Sequence, residues 1–173
     1  MTMTCPDATG DTDVRRLAGL DLFTGADRAL LESVAARSVA LEVDKGRELV
    51  REGGEAREFV VILDGHAAVS IGGIPISYIG AGSCFGEMSL IDGRNRTATV
   101  TAASPMRVVV ISREDFLVLL QEPSFCLRIL TLVVGRLRLA NAQLAERADV
   151  DPGSPSSRAG AARSVVNETD ATG

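Results

Sequence analysis

The sequence predicts a mainly β fold with flanking helices: an antiparallel β-roll, or jelly-roll-like barrel, with helices at both ends and one short helix between strands. Three observations carry this. From Val39 to Ile111 short apolar runs follow one another: "SVALEV", "RELVRE", "EFVVIL", "HAAVSI", "IPISYI", "TATVTA" and "MRVVVIS". Turn residues separate them: Lys45-Gly46, Gly53-Gly54, Asp64-Gly65, Gly72-Gly73, Gly80-Ala81-Gly82 and Ser104-Pro105. Asp-Gly and Gly-Gly between apolar runs are hairpin signals, because two-residue hairpin turns need positive φ. Strands at such regular spacing imply a sandwich or barrel. Outside this region the apolar residues recur instead at helical spacing.

Residues 1–12, "MTMTCPDATGDT", are rich in Thr, Asp and Gly and are expected to be disordered. A short helical piece is expected from Val14 to about Leu22. In "TGADRALLESVAARS" Leu30, Leu31, Val34 and Ala35 share one face, with Thr24 or Asp27 available as the cap. The strands follow. Ser112 then reopens helix, with Asp115 three residues on in a capping-box pattern.

Pro123 starts a longer helix, "PSFCLRILTLVVGRLRLANAQLAERA". Cys126, Leu130, Val133, Leu137, Ala140 and Leu144 recur along it at steps of four and three, the spacing a helix–helix contact uses. Either this seam packs on the β-region, or it pairs with a second copy or another protein. In the second case the stripe of Phe125, Ile129 and Leu132 serves the β-region. From Asp149 the chain turns to Pro, Ser, Gly and Ala, which bury too little surface to offset the entropy of ordering. The expected organisation is one domain over residues 13–148 and a disordered tail over 149–173.

With 173 residues the chain can bury a real core. Its net charge of −5 argues against a general nucleic-acid binder, whose affinity comes from Lys and Arg neutralising phosphates. Cys5, Cys84 and Cys126 are far apart and odd in number, which fits neither a disulfide framework nor metal-ligand spacing. A reducing, cytoplasmic setting is the expectation. The N-terminus has no apolar core for a signal peptide, and Arg128, Arg136 and Arg138 interrupt the late apolar stretch, so no membrane span is expected. His66, the single histidine, offers no triad or metal cluster and reads as a surface residue at a strand start. Cys84 reads as a small buried thiol, and Arg136, Arg138 and Arg147 as a solvated helix face. No catalytic constellation, metal site or cofactor is expected.

One stretch stands apart: "CFGEMSLIDGRNRTATV", Cys84 to Val100. It is either a tight corner held by an ion pair or a place where an acid and an arginine face a ligand. Gly86 lets the backbone come close to a ligand. Glu87 is acceptor-only when ionised, which suits the hydroxyls of a sugar. Met88, Ser89 and Leu90 complete one helical turn and present further N–H groups. The Asp92-Gly93 turn brings Arg96 back across the pocket, where its planar fork matches phosphate oxygens, and Thr97 adds a hydroxyl. An acid for the ribose and an arginine for the phosphate belong together chemically.

On these residues the chain resembles the cyclic nucleotide-binding domain, from roughly Leu17 to Ala148. Phe85-Gly86-Glu87-Met88-Ser89-Leu90 with Arg96-Thr97-Ala98 is similar to the phosphate-binding cassette of that family. The resemblance implies that Glu87 contacts the ribose 2′-hydroxyl and Arg96 the cyclic phosphate. By the same resemblance Gly86, Met88 and Ser89 offer backbone N–H groups, Phe85 belongs to the ligand-binding set, and Thr97 contributes a hydroxyl. Ser89 stands where many members have alanine. The ligand it implies is cAMP, with cGMP as the alternative that Thr97 permits. The expected activity is that of a sensor module, not an enzyme, that repositions its C-terminal helix toward a partner or a second copy. Direct DNA binding is not expected, since a helix-turn-helix would have to follow the long helix. A structural protein with a nucleotide-independent barrel is the rival.

Overall fold

The computed structural model describes residues 10–150, with side chains described from Val14 to Ala145. The chain divides into two compact units after Val133. The expected disorder of residues 1–12 and 149–173 lies mostly outside the described residues.

Helix α1 (Gly10–Ala18) opens ahead of Val14, and the chain ends its first helical stretch in a separate 3-10 turn at Asp21–Phe23. Helix α2 (Arg28–Ala36) takes Asp27 as its N-cap, the carboxylate accepting from Leu30 N at 2.8 Å. The strands follow: β1 (Ser38–Val43), β2 (Glu48–Val50), β3 (Glu58–Asp64), β4 (His66–Ile71), β5 (Ile74–Gly80) and β6 (Cys84–Phe85). Helix α3 (Glu87–Asp92) comes next, then β7 (Thr99–Ala102) and β8 (Met106–Ser112), and α4 (Arg113–Leu119) and α5 (Pro123–Val150) close the order.

All pairing is antiparallel, in two four-stranded sheets of order β1-β8-β3-β6 and β2-β7-β4-β5. The fold is a β-roll, and the strands do not close into a barrel. The turn signals explain why. Only Gly72-Gly73 makes a two-residue hairpin: both glycines have positive φ, and Ile71 and Ile74 pair across it. Asp64-Gly65 joins strands of different sheets and is a corner. A Cβ on Gly65 would meet Met106 Cγ and Ser104 Oγ, each at 2.9 Å, as well as the Pro105 carbonyl. Strand β6 is only Cys84–Phe85, too short to show any sequence period.

Strand β3 is buried on both faces. Val60 and Ile62 turn inward with Val50, Ala67, Phe85, Val100 and Val108 to form a core between the sheets. Phe59 and Val61 turn outward into a second core with Leu17, Phe23, Val34, Phe116 and Phe125. This is why "EFVVIL" reads as a continuous apolar run rather than an alternating one. Phe116 stacks obliquely on Phe59 with centroids 5.0 Å apart and meets Phe125 edge-on at 6.0 Å, so α4 and the start of α5 share one aromatic contact with β3.

Ser112 caps α4, accepting from Asp115 N at 3.1 Å, but the return bond of a full capping box is absent. The Asp115 carboxylate instead accepts from the Ser112 hydroxyl and from Arg37. In α5, Phe125 and Ile129 are buried and Leu132 is half-buried, which makes that stripe the one that serves the core. Of the seam, Val133 packs partly on the core, while Cys126, Leu130, Leu137, Ala140 and Leu144 are exposed. The Arg128 guanidinium donates to the carbonyls of Leu22 and Thr24, fixing the first turns of α5 to the 3-10 corner. His66 starts β4 on the surface, and Cys84 is buried. Arg138 is exposed and Arg136 half-buried, and the side chain of Arg147 lies outside the described residues. No single helix among the described residues is long and apolar enough to cross a membrane.

Candidate functional site

The site is built where β6 passes through Gly86 into α3 and the chain returns through Gly93. Gly86 has φ +97 and ψ −6, a left-handed conformation that costs any L side chain about 1–2 kcal/mol. It lets the chain turn at once from strand into helix. Gly93 ends α3 with φ +71, and the Asp92 carboxylate accepts from Arg94 N at 2.9 Å to shape the return. Arg96 is thereby brought back to Gly86.

Arg96 is 5% exposed. Its Nη1 donates to the Gly86 carbonyl at 3.0 Å and its Nη2 to the Glu58 carbonyl at 2.5 Å. Its Nε is buried and meets no acceptor. The hydrogen bonds that hold this cation run to neutral carbonyls, not to a carboxylate. Burial accordingly pushes its pKa below the ordinary arginine value, with Glu58 and then Glu87 opposing that shift.

Glu87 is fully buried at the first position of α3. Ser89 is buried as well, and its hydroxyl donates to the Asn95 carbonyl at 3.1 Å, tying α3 to the returning loop. The Met88 side chain is exposed, and so is Thr97. Phe85 sits in the core between the sheets. The fold therefore brings Gly86, Glu87, Ser89 and Arg96 together, with Thr97 beside Arg96. Phe85 and Met88 direct their side chains elsewhere, leaving only their main chain to the site.

Three parts of this arrangement have no signature in the sequence. The Glu58 carbonyl, on the first residue of β3, takes half of the Arg96 fork. The Asn95 carbonyl occupies the Ser89 hydroxyl. Gly53 N donates to the Arg96 carbonyl, and Arg96 N donates to the Gly54 carbonyl, both at 2.8 Å. All are main-chain groups, which every residue possesses; only the Gly53-Gly54 pair could have been noticed, and it reads as a turn. Among the described residues no group of three or more His, Cys, Asp or Glu is placed to hold a metal ion.

A family model described as the cyclic nucleotide-binding domain matches residues 40–123. The acetyltransferase Pat of Mycolicibacterium smegmatis is 36% identical over 132 residues, covering 73% of this chain and 40% of the relative. The solved cAMP-binding acyltransferase from Mycobacterium smegmatis superposes with a TM-score of 0.61 at 30% identity, over 75% of this chain and 42% of that one. The catabolite activator protein of Thermus thermophilus does so with a TM-score of 0.65 at 25% identity, over 72% of this chain and 61% of that one. The chain thus spans about two fifths of the length of the acetyltransferase it matches.

Proposed function

Because residues 40–123 belong to the cyclic nucleotide-binding domain family, we propose that this chain is a cytoplasmic sensor that binds a cyclic nucleotide, cAMP in preference to cGMP. The observation that carries the reading is Arg96. A buried guanidinium held by two neutral carbonyls, with a third N–H unanswered, bears a desolvation cost that an anion would offset. A singly charged cyclic phosphate, seated against Arg96 and the N–H groups of Gly86, Met88 and Ser89, supplies that anion. Glu87 accepts from the ribose 2′-hydroxyl. Thr97, exposed at the edge, offers its hydroxyl to the phosphate or the base. The preference for cAMP is supported by the likeness to an acyltransferase named as cAMP-binding.

The chain acts in this reading as a regulatory module and not as an enzyme. Nucleotide binding shifts α5 only if one arrangement of that helix binds the nucleotide better. The exposed part of the α5 seam, Cys126, Leu130, Leu137, Ala140 and Leu144, is the surface on which a second copy or a partner protein reads the change. Calorimetric titration with cAMP and with cGMP tests the reading. Saturable binding with cAMP tighter than cGMP is expected. Absence of heat with both, in folded protein, would reduce the domain to a structural one.

A further inference from the structure

Arg96 lies in neither a helix nor a strand, since α3 ends at Asp92 and β7 begins at Thr99. Its main chain takes its direction from elsewhere. Both of its backbone groups pair with the Gly53-Gly54 segment, at 2.8 Å each. Two consecutive glycines make a poor anchor by themselves, because they surrender the most conformational freedom on ordering.

Gly54 N donates to the Arg51 carbonyl at 3.0 Å, and the residue before the glycines ties the segment to its surroundings. Glu52 N donates to Thr99 Oγ1 at 2.9 Å, and the Glu52 carboxylate accepts from Gly72 N at 2.6 Å. Gly72 is the first residue of the β4–β5 hairpin turn. A carboxylate on a backbone N–H is charge-assisted and stronger than a neutral bond. Glu52 therefore braces the glycine segment from two sides, against the start of β7 and against the hairpin tip.

We propose that Glu52 is a positioning residue for Arg96: it clamps the hairpin tip at Gly72 to the Gly53-Gly54 segment that carries the Arg96 main chain, so that the guanidinium keeps its aim. This rests on the reading of Arg96 as the phosphate-binding group. It also gives the β4–β5 hairpin, which is distant in sequence from Arg96, a mechanical link to the site.

The test uses the full chain as Glu52→Ala and Glu52→Gln. Glu52→Ala removes the carboxylate arm of the brace at Gly72 and keeps the main-chain bond to Thr99; Glu52→Gln keeps an amide oxygen that can accept from Gly72 N. In the unliganded protein, the Arg96 amide and Nε–H resonances should move in Glu52→Ala and return most of the way in Glu52→Gln. Affinity for cAMP should fall about three- to tenfold in Glu52→Ala and recover partly in Glu52→Gln, with little change in unliganded Tm. Arg96 resonances that stay in place in Glu52→Ala overturn the proposal, as does unchanged affinity when the wild type binds. If the wild type binds neither cAMP nor cGMP, the nucleotide reading fails, and the brace is judged on the Arg96 resonances alone.

Discussion

Gly86 and Arg96 leave no room for a side chain between them. The Gly86 carbonyl accepts from Arg96 Nη1, and a Cβ built on Gly86 would fall onto that same nitrogen and lie 2.7 Å from the Glu58 carbonyl oxygen. The backbone at Gly86 also sits at φ +97. One glycine thus serves as the hinge of the strand-to-helix turn and as the wall against which the arginine lies.

Gly86→Ala should therefore hurt twice. Left-handed backbone strain costs about 1–2 kcal/mol. The guanidinium must also move, because the Glu58 carbonyl belongs to β3 and cannot. Urea unfolding should report a stability loss of about 2–4 kcal/mol, and calorimetry a cAMP affinity at least about tenfold weaker. Gly93→Ala is the control: its φ is +71 but nothing lies within 4 Å of an added Cβ. It should show the strain alone, about 1–2 kcal/mol.

Glu87 is fully buried, and after Glu58 it opposes the lowering of the Arg96 pKa by burial. If its carboxylate accepts from the ribose 2′-hydroxyl, Glu87→Gln should weaken cAMP binding by about 1.5–3 kcal/mol. In the wild type, 2′-deoxy-cAMP should lose a similar amount. The two losses should not add: Glu87→Gln should bind cAMP and its 2′-deoxy analogue nearly alike. Fully additive losses, measured by competition calorimetry, would remove Glu87 from the ribose.

The exposed α5 seam makes a prediction about assembly. Leu130 is 57% exposed, Leu137 59% and Leu144 63%. A self-dimer through this seam would bury them. Light scattering should then find wild type as a dimer and Leu137→Glu as a monomer, with unfolding of the domain unchanged. Wild type and variant both monomeric would exclude a self-dimer through this seam.

Much of the fold was legible because its signals are local. Gly72-Gly73 gives the hairpin, Ser112 and Asp27 give their caps, and the unbroken "EFVVIL" marks a strand with core on both faces. The β-roll was legible, but which turn signals are hairpins was not, because whether Asp64-Gly65 makes a hairpin or a sheet-to-sheet corner depends on what stands opposite it, here Ser104 to Met106. The α5 stripes were legible as two stripes; their burial, known only after folding, assigns Phe125 and Ile129 to the core. At the candidate site the side chains were visible in the sequence and their supports were not. The Glu58, Asn95 and Gly54 carbonyls are main-chain acceptors, and the Glu52 brace joins residues 20 apart through one backbone N–H.

The most direct test of the account is a calorimetric titration of cAMP into wild type and Arg96→Ala, each first shown to be folded by its urea transition. If Arg96 is the cation that meets the cyclic phosphate, its removal should cost about 2–5 kcal/mol, so that binding weakens at least about thirtyfold or disappears. An isotherm unchanged in folded Arg96→Ala would contradict the account.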